Sequence, residues 1–158
     1  MGEDGTTVLE EAMSEVILID GKMVAYRAHF SHMALKNADG EPTGLLHGFF
    51  YELLCINKKM PEARMIICWD GKGKTWRHTT YPKYKAQRPY NPEWKRMNAQ
   101  IVELLPILKK LGFHVYEVDG VEADDIIGIL ATQLNGHDIR PIRYDNVGTV
   151  RDAAHRDR

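Results

Sequence analysis

Five carboxylates, Asp20, Asp70, Glu122, Asp124 and Asp125, each follow a short apolar run in this 158-residue chain. Hard oxygen donors of this kind, with no histidine or thiolate beside them, suit Mg²⁺, with Mn²⁺ as a substitute. Brought together without a cation, they would repel one another and raise each other's pKa. Asp145 would join them if the run before it forms a strand. Singly, each has an ordinary reading. Asp-Gly after a strand is a frequent turn, and an acid in the first turn of a helix stabilises its dipole by roughly 0.3–1 kcal/mol. The case for a shared duty is that three separate apolar runs end the same way.

A second group of residues complements the acids. Residues 71–96 carry Lys72, Lys74, Arg77, Lys83, Lys85, Arg88, Lys95 and Arg96 against the single acid Glu93, a net of +7. Trp76, Tyr81, Tyr84, Tyr90 and Trp94 are interleaved with these cations. That mixture suits a segment that grips phosphates while stacking on unpaired bases. It equally describes a solvated loop whose aromatics fold onto the core. Pro82, Pro89 and Pro92 stiffen the segment, and so much charge leaves little apolar surface to bury, so it should be mobile in the free protein.

Three other chemistries fail on spacing. Gly73-Lys74-Thr75 echoes the end of a phosphate-binding P-loop, but Cys68 stands where the earlier glycine is required. Position 22 is Lys22, whereas an aspartyl-phosphate phosphatase of the haloacid dehalogenase type would place a second aspartate two residues after Asp20. The seven histidines are scattered, with no pair at helical ligand spacing, which argues against zinc hydrolysis.

The elements that must position these residues follow from periodicity. Val16 to Ile19 reads as a strand buried on both faces and stopped by a turn at Asp20-Gly21; Met65 to Trp69 repeats the design before Asp70-Gly71. Leu45, Leu46, Phe49, Phe50, Leu53 and Leu54 keep helical spacing from Gly44, with Lys58, Lys59 and Pro61 as a stop. A second helix runs from Met97 to Leu111, bent at Pro106, with Gly112 as its left-handed cap. Phe113 to Val118 reads as a third strand, and Asp124-Asp125 opens an amphipathic helix that Asn135-Gly136 ends. Residues 139–143 would be a fourth strand, interrupted by Pro141. Strands alternating with helices predict an α/β fold: a parallel sheet flanked by helices, with the functional crevice beyond the strands' carboxyl ends.

Length and a hydrophobic content of 44% allow one core, here placed at residues 14–143. Residues 1–13 read as a disordered extension and 144–158 as an irregular or truncated tail without either period. The net charge of −1 gives no overall mark of a nucleic-acid binder. Cys55 and Cys68 lie in apolar runs, as reduced core thiols of a cytoplasmic protein would. No signal-peptide pattern or membrane-length apolar run is present, so no membrane partner is expected.

In order along the chain, the motifs resemble the 5′→3′ exonuclease and flap endonuclease family, whose amino-terminal domain is PIN-like. Ile17-Leu18-Ile19-Asp20-Gly21 with Tyr26-Arg27-Ala28, then Gly40-Glu41-Pro42-Thr43-Gly44, is similar to that family's first strand and following loop. Trp69-Asp70-Gly71 with Trp76-Arg77-His78 is similar to its second strand, and Tyr84-Lys85-Ala86-Gln87-Arg88-Pro89 to its arch entry. Glu122-Ala123-Asp124-Asp125-Ile126-Ile127-Gly128 is similar to its acidic helix start.

The resemblance implies a Mg²⁺-dependent hydrolase acting on DNA with 5′ ends or flaps, with RNA also accepted by some members. It implies Asp20, Asp70, Glu122, Asp124 and Asp125 at the metal centre, some directly and some through water. Lys85 and Arg88 would be the catalytic cations that polarise the scissile phosphate, and Tyr84 would stack on a base. Arg27, Lys72, Lys74 and Arg77 complete the nucleic-acid-binding set, with Arg27 and Arg77 as partners of phosphate or carboxylate. After Asp145, however, Asn146 and Val147 stand where the family has lysine and aspartate, and the helix-hairpin-helix region is absent. These departures imply a truncated nuclease, a chain completed by a second polypeptide, or a non-catalytic nucleic-acid-binding remnant. A PIN-type ribonuclease would share the acids but not Tyr84-Lys85 to Pro89.

Overall fold

The computed structural model describes residues 15–87 and 89–134, and the backbone of 139–142. Strand β1 (Val16–Asp20) runs into helix α1 (Gly21–Ser31); α2 (Gly44–Lys59) and β2 (Arg64–Asp70) follow. Then come α3 (Trp76–Thr80), α4 (Glu93–Lys110), β3 (His114–Val118), α5 (Ala123–Gln133) and β4 (Ile139–Ile142). The four strands form one parallel sheet in the order β3-β2-β1-β4. The expected α/β architecture is therefore present.

Alternation along the strands sorts the side chains into two cores. Ile17 and Ile19 of β1, with Ile67 and Trp69 of β2, face α1, α2 and α4, where Val24, Ala25, Phe49, Leu53, Leu104 and Leu108 complete the larger core. Val16, Leu18, Ile66 and Cys68 face the other way, against Ala123 and Ile126 of α5. Burial on both faces is why the central strands read as unbroken apolar runs. The same parity gives Asp20 and Asp70 to the α5 side, because they continue the 16-18 and 66-68 series.

Several elements depart from the sequence reading. No turn stops β1: Asp20 is the N-cap of α1, its side chain accepting from the Met23 amide at 3.0 Å. That helix was not expected, because the face it buries consists of Gly21, Val24, Ala25, Ala28 and His29, too small and too polar to print a hydrophobic period. Helix α4 starts at Glu93, four residues before its first buried side chain, Met97. Pro106, where a bend is expected, lies within this helix on the solvent side, so the carbonyl its missing amide leaves free can be hydrated. Pro141 does not interrupt β4. Among the described strands it lies at the sheet's edge, where a missing donor is tolerated, and Pro141 pairs opposite Leu18.

Gly112 has φ +86, and the amides of Gly112 and Phe113 bond back to Lys109 and Leu108, the closing pattern expected of a left-handed cap. Asn135-Gly136, Asp145, Asn146, Val147 and residues 1–13 and 144–158 lie outside the described residues. Among the described residues no helix is long and apolar enough to cross a membrane.

Candidate metal centre

The acids converge because β1 and β2 end side by side and α5 begins at the same edge. Asp70 accepts the first amide of α5, from Ala123, at 2.9 Å, and the Lys22 ammonium of α1 at 2.9 Å. One carboxylate thus joins three elements. Gly71, directly after it, passes so close to the Val118 carbonyl of β3 that a Cβ there would overlap it. Glu122 is buried at the N-cap of α5, where Lys85 Nζ donates to one oxygen at 2.9 Å and the Tyr84 hydroxyl to the other at 3.1 Å. Arg77 lies 3.6 Å from Glu122 and grips Asp125 with both guanidinium nitrogens, at 2.5 and 2.7 Å. Asp124 is exposed.

The basic segment therefore folds onto the acids. Helix α3 buries none of its own side chains and is held by a capping box between Thr75 and His78, together with the Arg77 contacts. The Arg77 guanidinium lies 4.7 Å from the centre of the Trp76 ring, and Lys85 5.0 Å from that of Tyr84. Lys85 has φ +58, a left-handed conformation unusual for a side chain of this size. Lys72 and Lys74 stand exposed on the loop between β2 and α3. Arg27 takes a carboxylate partner, Glu52 at 3.6 Å, and so ties α1 to α2. Arg88 lies outside the described residues.

Proton affinities divide the acids into two kinds. For Asp20, burial raises the carboxyl's pKa, the Met23 amide works against this, and the charges of Asp70 and Asp124 raise it again, leaving it above the ordinary value. Burial also pushes Asp70 up, but the Ala123 amide and Lys22 outweigh it and hold the carboxyl low. For Glu122 the penalty of burial is outweighed by Lys85, Tyr84 and Arg77. Asp125 is held low chiefly by its hydrogen bonds to Arg77.

Among the described residues, no three Asp, Glu, His or Cys side chains stand close enough as placed to share one metal ion. Lys22, Arg77 and Lys85 supply the counter-charge instead. Lys22 as a partner of Asp70 is not legible in the sequence, since its role depends on α1 starting directly at the end of β1.

The profile of the family described as 5′-3′ exonuclease, N-terminal resolvase-like domain, matches residues 15–143. The chain belongs to this family. The chain is 35% identical over 131 residues to DNA polymerase I of Pseudomonas aeruginosa, covering 83% of this chain and 14% of that protein. It is 37% identical over 120 residues to a 5′-3′ exonuclease of Buchnera aphidicola from Acyrthosiphon pisum, covering 75% of this chain and 41% of the relative. The chain thus spans less than half the length of these relatives. Among solved structures, its fold is similar to that of a T5 protein co-crystallised with metal ions, with a TM-score of 0.58 at 23% identity, covering 80% of this chain and 48% of the other. A bacteriophage T5 flap endonuclease solved with DNA and metal ions gives a TM-score of 0.55 at 22% identity, covering 80% and 47%. The chain therefore has the fold that its motifs imply.

Proposed function

We propose that the chain forms the acid-bearing part of a metal-dependent 5′→3′ exonuclease or 5′-flap endonuclease that hydrolyses phosphodiester bonds in DNA. The observation that carries this reading is the shared edge: Asp20, Asp70 and the Glu122–Asp125 turn meet where β1, β2 and α5 begin or end, with Lys85 and Arg77 reaching in from the basic segment. The family and the activities of the relatives it resembles support it.

The donor set fits a divalent cation such as Mg²⁺ or Mn²⁺. It consists of carboxylates, and the Asp20 carboxyl is raised by burial and then by the charges of Asp70 and Asp124, which such an ion would offset. Asp20, Asp70 and Glu122, with the Asp124–Asp125 pair, would hold the ion, directly or through water. When bound, it would supply Lewis acidity, activating water and offsetting charge on the leaving oxygen. Lys85 would turn from Glu122 to the scissile phosphate, and Arg88 would add a second cation there. Tyr84 would offer its ring to an unpaired base, while Lys72 and Lys74 would hold the strand by its phosphates.

The test is Mg²⁺- and Mn²⁺-dependent cleavage of a labelled 5′-flap DNA by the 158-residue chain, with Asp70→Asn as control. Cleavage that collapses in the variant is expected, and preference for RNA of the same form would point to a PIN-type ribonuclease instead. One observation favours a second reading, a nucleic-acid-binding subunit without catalysis: the acids are neutralised by lysine and arginine rather than converging as three ligands. Under that reading no cleavage occurs, and Asp70→Asn leaves DNA binding unchanged or tighter, since a negative charge is lost near phosphate.

A further inference from the structure

Asp124 and Asp125 are neighbours in sequence and look interchangeable as ligands. In the first turn of a helix, however, successive side chains point about 100° apart, so both cannot address one centre equally. The structure separates them. Asp125 is engaged on both oxygens by Arg77, which comes from α3 in the basic segment. A bidentate guanidinium grip of this kind is among the more directional ion contacts available to a carboxylate. The charge of Asp124, in contrast, bears on Asp20 together with that of Asp70.

Beyond its capping box and the His78–Tyr84 ring contact, helix α3 has little else to hold it. It is five residues long and buries none of its side chains, and its first residue, Trp76, is exposed beneath the Arg77 guanidinium. A helix this short has almost no stability of its own.

Resting on the functional reading above, we propose that Asp125 is not a ligand of the cation but the anchor of the basic segment, with Arg77 as its partner, and that Asp124 is the acid this turn contributes to the metal group. Arg77 is then a positioning residue. It sets the place of the segment that carries Tyr84 and Lys85, and it keeps Asp125 out of the acid group.

Two readouts on the full chain test this: Mn²⁺ affinity by calorimetry and the rate of trypsin cleavage after Lys83 and Lys85. Asp70→Asn and Asp124→Asn are expected to weaken Mn²⁺ binding by more than about tenfold, because each removes an anionic oxygen ligand. Asp125→Asn should leave it within about threefold, the effect of a screened charge already paired in the protein. Asp125→Asn and Arg77→Gln should each raise trypsin cleavage about fivefold by loosening the segment, with no further rise when combined. Exchanging the two charges, Arg77→Asp with Asp125→Arg, should restore protection, a rescue that a merely space-filling role would not show. Loss of Mn²⁺ affinity in Asp125→Asn equal to that in Asp124→Asn would overturn the inference, as would protection indifferent to both members of the pair. Indifference of Mn²⁺ affinity to Asp70→Asn would instead strike the functional reading, whatever the trypsin result.

Discussion

Burial, backbone amides and neighbouring charges together set the character of each carboxylate at this edge. Asp125, held low by Arg77, contributes stability that is present above its ordinary pKa of 3.8 and is lost as pH falls through the depressed value. Asp125→Asn should therefore lower the melting temperature at pH 7, and the gap to the parent should close as melts are taken below pH 3.8. Asp20 has the opposite sign. Its folded pKa is raised, so its contribution is fullest below 3.8 and is lost as pH rises through the folded value. Asparagine keeps the N-cap hydrogen bond. We expect Asp20→Asn to raise the melting temperature of the metal-free chain at pH 7 while weakening its response to Mn²⁺. The two thiols also differ. Cys68 is buried, and burial with the nearby Asp20 charge pushes its pKa up to about 11, whereas Cys55 is half-buried. Titration with a disulfide reagent at neutral pH should find Cys55 the faster, with Cys68 reacting fully only after denaturation. The acids themselves were legible from their positions after apolar runs, and the resemblance marked Arg77 as a partner of phosphate or carboxylate; which acid it takes was not legible. Arg77 and Asp125 lie 48 positions apart, and only the fold makes that pair.

At the scale of elements, legibility followed the size of the buried side chains. Strands β1 and β2 announce themselves because both faces are apolar, and α2 because leucines and phenylalanines mark one side of it. Helix α1 buries small residues and a histidine, and α3 buries nothing, so neither leaves a period to read. Gly71 is the point where the elements crowd most at the site. Its neighbour Asp70 holds Lys22 and the start of α5, and its own Cα faces the Val118 carbonyl of β3. We expect Gly71→Ala to cost about 1–3 kcal/mol in chemical denaturation, as overpacking does, because backbone rather than a flexible side chain must give way. A substitution that left stability and Mn²⁺ binding both unchanged would show that β2 and β3 part more easily than their close approach implies.

For the whole molecule, the acids and the basic segment place opposite fields side by side while the net charge stays near zero. A cation that binds only the folded chain stabilises it by mass action, about 2.7 kcal/mol at a hundredfold excess over its dissociation constant. Thermal melts should therefore rise with added Mn²⁺ and do so much less in Asp70→Asn. The parallel sheet has a further consequence, for the order of assembly. Strand β1 lies between β2 and β4, and Val16 stands opposite Ile139. Among the described strands, β1 comes first in the chain and thus receives its second neighbour only when β4, the furthest along the chain, emerges. Until then a hydrophobic strand at the centre of the sheet has an open edge able to recruit another chain. Slow closure of the sheet, and a folding yield that falls with concentration, are the expected signature of that delay.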